Sequence, residues 1–536
     1  MARRKYIFIT GGVMSGVGKG VATASIGRIL KSKGLNVTAV KIDPYVNVDA
    51  GTMNPTEHGE VFVLEDGWEC DQDLGNYERF LDKNLSKVNC ITTGSTYLSV
   101  INKERALKYG GKCVEVVPHI PLQVIEDINK AARKDKADIV LIEVGGTVGE
   151  YQNLLFLEAA RMLKLKIPKD VLIILVGYLP IRSKDNELKT KPTQYAVRTL
   201  NSTGLQPDII LARAAVPLDK KRKEKIALNC GLDERDVISA PDVESIYEVP
   251  LYLEKAGLSE RILHKLNLRS RESDLKDLIK IVYRIKHAKD EVRIGIVGKY
   301  FGTGDFVLTD AYLSVIEAIK HASYFLNKRP IIDWVNAGKL QDLQKYDGIV
   351  VPGGFGSRDI EGKIWAIRYA REKKVPFLGL CYGMQLAVIE FARTVGGLKE
   401  ANSTEIRKDT PQPVIDIIPD QLRRIKMEKY GGTMRLGAYP ALLERGSIAR
   451  FAYKKDQITE RHRHRYEVNP EYIKRLEAKG LVFSGKSPDG ILMEIVELPR
   501  SQHPFFVGTQ FHPELTSKLF NPNPLFREFI RAATKQ

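Results

Sequence analysis

The sequence predicts an α/β protein of two domains, each a mainly parallel sheet flanked by helices. Three observations carry that prediction. At 536 residues the chain exceeds what one hydrophobic core ordinarily supports. Short β-branched runs alternate with helix-patterned stretches through the first half, as in a parallel sheet covered by helices. After a highly charged stretch from about Arg269 to Glu291, a second α/β pattern begins at Val292-Arg293-Ile294-Gly295-Ile296-Val297.

In chain order, strands are expected at Tyr6–Thr10, Val37–Lys41, Ile139–Glu143, Val171–Val176 and Ile209–Ala212. A helix from Val21 to Lys33 separates the first two and stops at Gly34, a C-terminal glycine. Within the charged stretch, Leu275, Leu278, Ile281, Val282 and Ile285 keep a helical apolar spacing, which predicts a linker helix packed on one domain. The second pattern continues through Ile349–Pro352 and Val375–Leu380 and ends near Phe505–Phe511. The expected domains are therefore 1–268 and 291–536, joined by a linker helix over 269–290.

Composition is that of an ordinary globular protein, with 43% hydrophobic and 28% charged residues. The formal net charge of +17 suits several triphosphate sites. No nucleic-acid partner is expected, because the basic residues are spread out and no RNA- or zinc-binding signature accompanies them. Cys70, Cys90, Cys113, Cys230 and Cys381 lie far apart with no C-x-x-C pair, which fits a reducing cytoplasm better than disulfides or a thiolate metal site. No apolar run is long enough to cross a membrane or to serve as a secretory leader.

The first chemical motif follows the first strand. Gly11-Gly12-Val13-Met14-Ser15-Gly16-Val17-Gly18-Lys19-Gly20 leads into a helix, so backbone N–H groups, a helix N-terminus and the Lys19 charge converge as a phosphate cradle. Compared with the common G-x-x-x-x-G-K-[ST] loop, Val13 stands at the first glycine and Gly20 at the metal-holding hydroxyl. Metal binding then falls to carboxylates elsewhere. Asp71, in Glu69-Cys70-Asp71-Gln72-Asp73, and Glu143, at the C-terminal end of its strand, are the candidates for magnesium.

The second motif, Gly379-Leu380-Cys381-Tyr382-Gly383, sits between a strand and a helix. It reads as a nucleophile elbow with cysteine in place of serine. His512-Pro513-Glu514 supplies a histidine and an orienting carboxylate after another strand. The glycine turn Val351-Pro352-Gly353-Gly354-Phe355-Gly356 offers a second oxyanion donor.

A cysteine, histidine and glutamate so arranged resemble the class I glutamine amidotransferases. Lys41-Ile42-Asp43-Pro44-Tyr45, Glu57-His58-Gly59-Glu60-Val61-Phe62-Val63, Lys189-Thr190-Lys191-Pro192-Thr193-Gln194 and Glu460-Arg461-His462-Arg463-His464-Arg465-Tyr466 are similar to segments of the CTP synthases. That resemblance spans essentially the whole chain. It implies a P-loop domain of the dethiobiotin-synthetase type followed by the amidotransferase, and ATP-dependent amination of UTP with ammonia from glutamine, in pyrimidine nucleotide synthesis.

The resemblance also implies roles. Ser15, Gly16, Val17, Gly18, Lys19, Gly20, Lys41 and Asp71 would bind ATP, with Asp71 and Glu143 on Mg2+. Ser15, Glu150, Gln152, Lys189, Thr190, Lys191, Gln194 and Lys225 would bind UTP or CTP. Gly353, Gly354, Gln385, Glu405 and Arg465 would hold glutamine around Cys381, His512 and Glu514, and His58 would line the ammonia passage. GTP activation, CTP feedback, a homotetramer built as a dimer of dimers, and filament formation are family traits. Departures from the family pattern fall at Gly149-Glu150-Tyr151-Gln152-Asn153, where CTP feedback is read, at Arg358-Asp359 in the GTP-linked lid, and at Tyr382. A partitioning ATPase would want Lys at Met14 and Ser or Thr at Gly20. A cobyrinic acid amidase would not need Lys189–Gln194, and a filament scaffold would not need an intact Lys19, Cys381 and His512.

Overall fold

The structure, a computed structural model, describes residues 4–53, 59–182, 187–269, 272–298, 309–338, 342–354, 359–417 and 434–535. Contacts divide the chain into two compact units, Met1–Ala50 with Asp73–Val282 and Gly51–Gln72 with Tyr283–Gln536.

Among the described residues, the first unit holds a seven-stranded sheet in the order Val237–Pro241, Ile209–Ala214, Val171–Tyr178, Lys5–Gly11, Ile139–Thr147, Val37–Asp43, Cys90–Thr92. Every pairing is parallel. The five strands read from the sequence are all present, each running one or more residues further. The edge strands Cys90–Thr92 and Val237–Pro241 are additional. Phe8, Ile142, Ile173 and Leu175 join helix residues such as Val124, Leu157 and Val197 in one core, as expected of a sheet covered by helices. Helix Lys19–Ser32 follows the central strand, and Gly34 beyond it takes φ 75. The charged stretch folds as helix Lys276–His287, with Leu278 and Val282 buried.

The second unit's sheet runs Arg329–Asn336, Glu291–Gly298, Gly348–Val351, Phe377–Leu380, Phe506–Thr509, Met493–Glu497, Val482–Lys486, Arg435–Leu443, Gln457–His464. The strands from Arg329–Asn336 to Phe506–Thr509 pair in parallel, and the remainder extend the sheet antiparallel. A hairpin of Val61–Val63 and Glu69–Asp71 also belongs here, although it lies inside the 1–268 segment of the sequence. Its Phe62, Val63, Leu64 and Cys70 are buried.

Candidate active sites

The phosphate loop leaves the middle of the first sheet. Gly18, at φ 90, caps helix Lys19–Ser32. Gly12 is forced by space, since a Cβ there would lie 2.3 Å from that of Ala196. Val13 takes φ 82, a conformation glycine adopts without cost. Lys19 is buried and donates to the Gly146 carbonyl at 2.9 Å. Burial pulls its pKa down, against Glu143 among others.

Register places Lys41 opposite Glu143 on neighbouring parallel strands. The Lys41 ammonium lies 3.0 Å from Glu143 Oε1 and 3.7 Å from Asp43 Oδ1, and it also pairs with Asp73 Oδ2. Burial pushes the Asp43 carboxyl up to about 6 and raises that of Glu143, with Lys41 opposing both. The Tyr77 hydroxyl donates to Glu143. A Cβ on Gly20 would lie 2.0 Å from Asp73 Oδ1, so the Asp73 carboxylate occupies the volume that a serine or threonine would need. Asp71, the carboxylate expected from the sequence, lies in the hairpin of the second unit opposite Val61. Asp73 heads helix Asp73–Leu81 in the first unit, and it is the residue of this acidic segment seen against Lys41 and Gly20.

Among the described residues no group of three or more His, Cys, Asp or Glu side chains forms a metal cluster. Magnesium commonly takes one or two protein carboxylates plus phosphate oxygens. Glu143 and Asp73, gathered around the cation Lys41, fit that donor set.

Lys189 pairs with Glu187, whose carboxyl is held down first by Lys189 and then by Arg222 and Lys225. The expected pyrimidine-nucleotide cations Lys189 and Lys225 thus act on one carboxylate, together with Arg222. Gln194 donates to the Thr190 hydroxyl at 3.1 Å, and Lys191 opens helix Lys191–Ser202. Glu150 accepts from the Thr147 N–H at 2.9 Å, while Gln152 is exposed. Beside the loop lies a cavity of ≈190 Å³ lined by Gly18, Val21, Val176, Leu211, Arg213 and Tyr252, among others. It opens at the C-terminal ends of three parallel strands, and no local motif marks it.

In the second unit, strand Phe377–Leu380 delivers Cys381 at φ 51 and ψ −100 into helix Tyr382–Thr394. The flanking glycines are sterically required. A Cβ on Gly379 would lie 2.8 Å from the Gly383 carbonyl, and one on Gly383 would lie 2.1 Å from Val351 O. Strand Phe506–Thr509 pairs beside Phe377–Leu380 and leads to His512. His512 Nδ1 lies 2.7 Å from Glu514 Oε1. Its buried Nε2 has no hydrogen-bond partner among the described residues. Burial alone would depress the imidazole pKa, but Glu514 and Cys381 outweigh it and raise it to about 10.

The Cys381 thiol donates to Arg463 O at 3.8 Å, and Gln510 Nε2 approaches the sulfur at the same distance. Gln385 Nε2 donates to Gln510 Oε1 at 3.3 Å and to Tyr466 O at 2.9 Å. A Cβ on Gly353 would strike His512 at 2.8 Å. These groups meet in a cavity of ≈250 Å³ lined by Gly353, Gly354, Cys381, Arg465, His512 and Glu514, with Thr52, Met53 and Glu60 from the hairpin segment. Glu405 follows strand Ala401–Ser403 and acts on the Tyr466 hydroxyl, whose pKa rises by burial and Glu405 against Arg465. His58 and residues 355–358 lie outside the described residues.

A family model described as CTP synthase N-terminus matches residues 5–268, and one for class-I glutamine amidotransferases matches residues 307–532. A CTP synthase of Carboxydothermus hydrogenoformans is 54% identical over 538 residues, covering 99% of each chain. One of Methanocaldococcus jannaschii is 51% identical over 542 residues, covering 99% of this chain and 98% of its own. The glutaminase domain of Trypanosoma brucei CTPS, solved with bound acivicin, is 37% identical and covers 46% of this chain and 94% of its own, with a TM-score of 0.41. Matches at this identity along the full length show the family: the chain belongs to the CTP synthases, ligases that aminate UTP to CTP with nitrogen from glutamine.

Proposed function

We propose that the second unit releases ammonia from glutamine at Cys381 and that the first spends ATP to place this ammonia on C4 of UTP. The observation that carries the reading is His512, held by Glu514 at the wall of the cavity that contains Cys381. His512 takes the Cys381 thiol proton as the sulfur attacks the glutamine amide carbon, and the N–H of Tyr382 at the helix start stabilises the oxyanion. His512, kept protonated by Glu514, gives its proton to the departing ammonia. Water then hydrolyses the thioester. Arg465 offers a fork for the substrate carboxylate, Glu405 an acceptor for its ammonium, and Gln385 and Gly354 contribute to the same pocket.

In the first unit the phosphate loop and Lys19 cradle the ATP phosphates, and the apolar cavity beside Gly18 takes the nucleoside. Lys41 with Lys19 compensates charge on the transferred phosphoryl. Asp71 and Glu143, with Asp73 as a further carboxylate beside Lys41, would hold Mg2+, which when bound supplies Lewis-acid stabilisation of the phosphates. Phosphorylation of the UTP 4-oxygen makes it a leaving group, ammonia attacks C4, and phosphate departs. Lys189, Gln194 and Lys225 hold the pyrimidine nucleotide, with Arg222 added by its place at Glu187. GTP activation, CTP feedback near Glu150 and Gln152, and an ammonia passage at His58 belong to the same reading.

Exposed Leu98, Ile101, Leu107, Val116, Val117 and Leu122 supply apolar surface for a homotetramer. A cytoplasmic setting accords with five cysteines that lie far apart and form no C-x-x-C pair. The test is CTP formation from UTP, ATP and magnesium with glutamine or with ammonium as nitrogen source. Formation with ammonium alone would sink the assignment of the cysteine centre.

A further inference from the structure

Strand Gln457–His464 carries arginines at alternate positions, which period-2 geometry sends to one face. That face is covered by the hairpin of Val61–Val63 and Glu69–Asp71. Arg463 Nε donates to Glu69 Oε1 at 2.7 Å, with both side chains largely buried. Arg461 is fully buried, lies over the Phe62 ring at 5.5 Å, and donates to Val63 O at 3.1 Å. The hairpin is registered against the partner strand as well. Ala438 N–H donates to Glu65 O at 2.9 Å, and a Cβ on Gly437 would lie 2.6 Å from Gly67 N. Strand Arg435–Leu443 pairs Leu436 with Arg463 and Ala438 with Arg461, so the hairpin grips both strands at the same two rungs.

Those rungs are also where the backbone meets the cysteine centre. The Arg463 carbonyl accepts the Cys381 thiol, and the Arg461 carbonyl accepts the backbone N–H of His512 at 2.7 Å. We propose that Glu69 is a positioning residue for glutamine hydrolysis: its ion pair with Arg463 fixes the strand whose carbonyls hold the nucleophile and the base. Glu69 touches neither reacting atom and acts through Arg463. The inference rests on the reading of Cys381 as the nucleophile.

Glu69→Gln keeps the shape but drops the charge, and Glu69→Lys sets a cation against Arg463. Both are measured in the full chain, beside Cys381→Ala. Losing a charge-assisted hydrogen bond in a buried setting predicts roughly a tenfold fall in kcat with glutamine for Glu69→Gln, and a larger fall for Glu69→Lys. KM for glutamine should stay within about twofold, because Glu69 orders the reacting groups rather than the substrate contacts. The rate of CTP formation from ammonium should be unchanged, and the pH profile for alkylation of Cys381 by iodoacetamide should shift, since the thiol's carbonyl partner moves. An unchanged kcat with glutamine, a loss confined to KM, an unmoved alkylation profile, or an equal loss with both nitrogen sources would each overturn the proposal. If Cys381→Ala kept glutamine-dependent synthesis, the reading of the centre itself would fail. A dead Cys381→Ala with normal Glu69 variants would remove only the role of Glu69.

Discussion

Each unit places its chemistry at a turn where a parallel strand hands over to a helix, and each turn bends one non-glycine residue to positive φ. In the phosphate loop that residue is Val13, at φ 82, and in the elbow it is Cys381, at φ 51. The surroundings differ. The loop site gathers Lys19, Lys41, Asp43, Asp73 and Glu143 into a mutually compensated cluster, from which a triphosphate must take over partners. The elbow site pairs His512 with Glu514 beside the thiol and is shaped mainly by glycines that have no room for a Cβ. One site manages charge, and the other manages shape. Strain at Cys381 positions the proposed nucleophile, whereas strain at Val13 has no side-chain chemistry to serve.

The largest effects should separate the two sites completely. Cys381→Ala is expected to abolish CTP formation from glutamine and leave formation from ammonium largely intact. Lys19→Ala should abolish both, because removing a full charge from a phosphoryl-transfer site costs on the order of several kcal/mol. Assays of both variants with both nitrogen sources check this. Near-normal ammonium-dependent activity in Lys19→Ala would break the contrast at its root.

The next effect tests the carboxylates of the charged site. Asp73→Asn should cut both activities by roughly 100-fold or more, by weakening the donor set around the phosphates. Asp71→Asn should cut them comparably, because the proposed magnesium site includes Asp71 and Glu143. Steady-state kinetics of the pair decide it, and near-normal activity in Asp71→Asn would remove that residue from the proposed magnesium site.

That pair also marks where the sequence was legible. The elbow and the His512-Pro513-Glu514 turn are short local motifs, and strand pairing between Phe377–Leu380 and Phe506–Thr509 brings them together without further information. Asp71 and Asp73 differ by two positions, and what separates them is the end of a strand and the start of a helix in different units. No periodicity over three-residue strands reveals such a boundary. The cavity beside Gly18 collects residues from Gly18 to Leu253, so nothing local announces it. Arg461 to Arg465 reads equally well as a solvated basic face, yet alternation buries Arg461 under the hairpin. Tertiary packing, not residue type, made that choice.

A smaller effect concerns the His512–Glu514 pair of the elbow site. His512 binds its proton more tightly in the folded chain, up to about 10, because Glu514 and Cys381 overcome the cost of burial. For a raised folded-state pKa the stabilisation is fully present below the ordinary imidazole value of 6.5 and is lost as pH rises through about 10. Urea unfolding at pH 7 and pH 10 should therefore show a steeper loss for the wild type than for Glu514→Gln, which lacks the carboxylate. Equal slopes would mean that Glu514 does not hold the imidazolium.

The smallest effect asks whether the strain at Val13 is as dispensable as the comparison implies. A β-branched residue at φ 82 bears a backbone cost of order 1–3 kcal/mol, which glycine avoids. Glycine in turn gives up roughly 0.5–1 kcal/mol of extra conformational entropy on folding. The Val13 side chain is exposed, so little apolar burial is lost. The balance favours Val13→Gly by about 1 kcal/mol, a rise of roughly 2–4 °C in the unfolding midpoint of the first unit. Val13→Ala keeps a Cβ at the same φ and should recover only the part due to β-branching. Glutamine hydrolysis should not respond to either change. Thermal unfolding of the three proteins, with the first-unit transition identified by its shift on adding ATP, gives the ranking glycine, alanine, valine from most to least stable. If glycine ranked last, entropy would have outweighed strain, and Val13 would be a residue that stiffens the phosphate loop rather than one the loop tolerates.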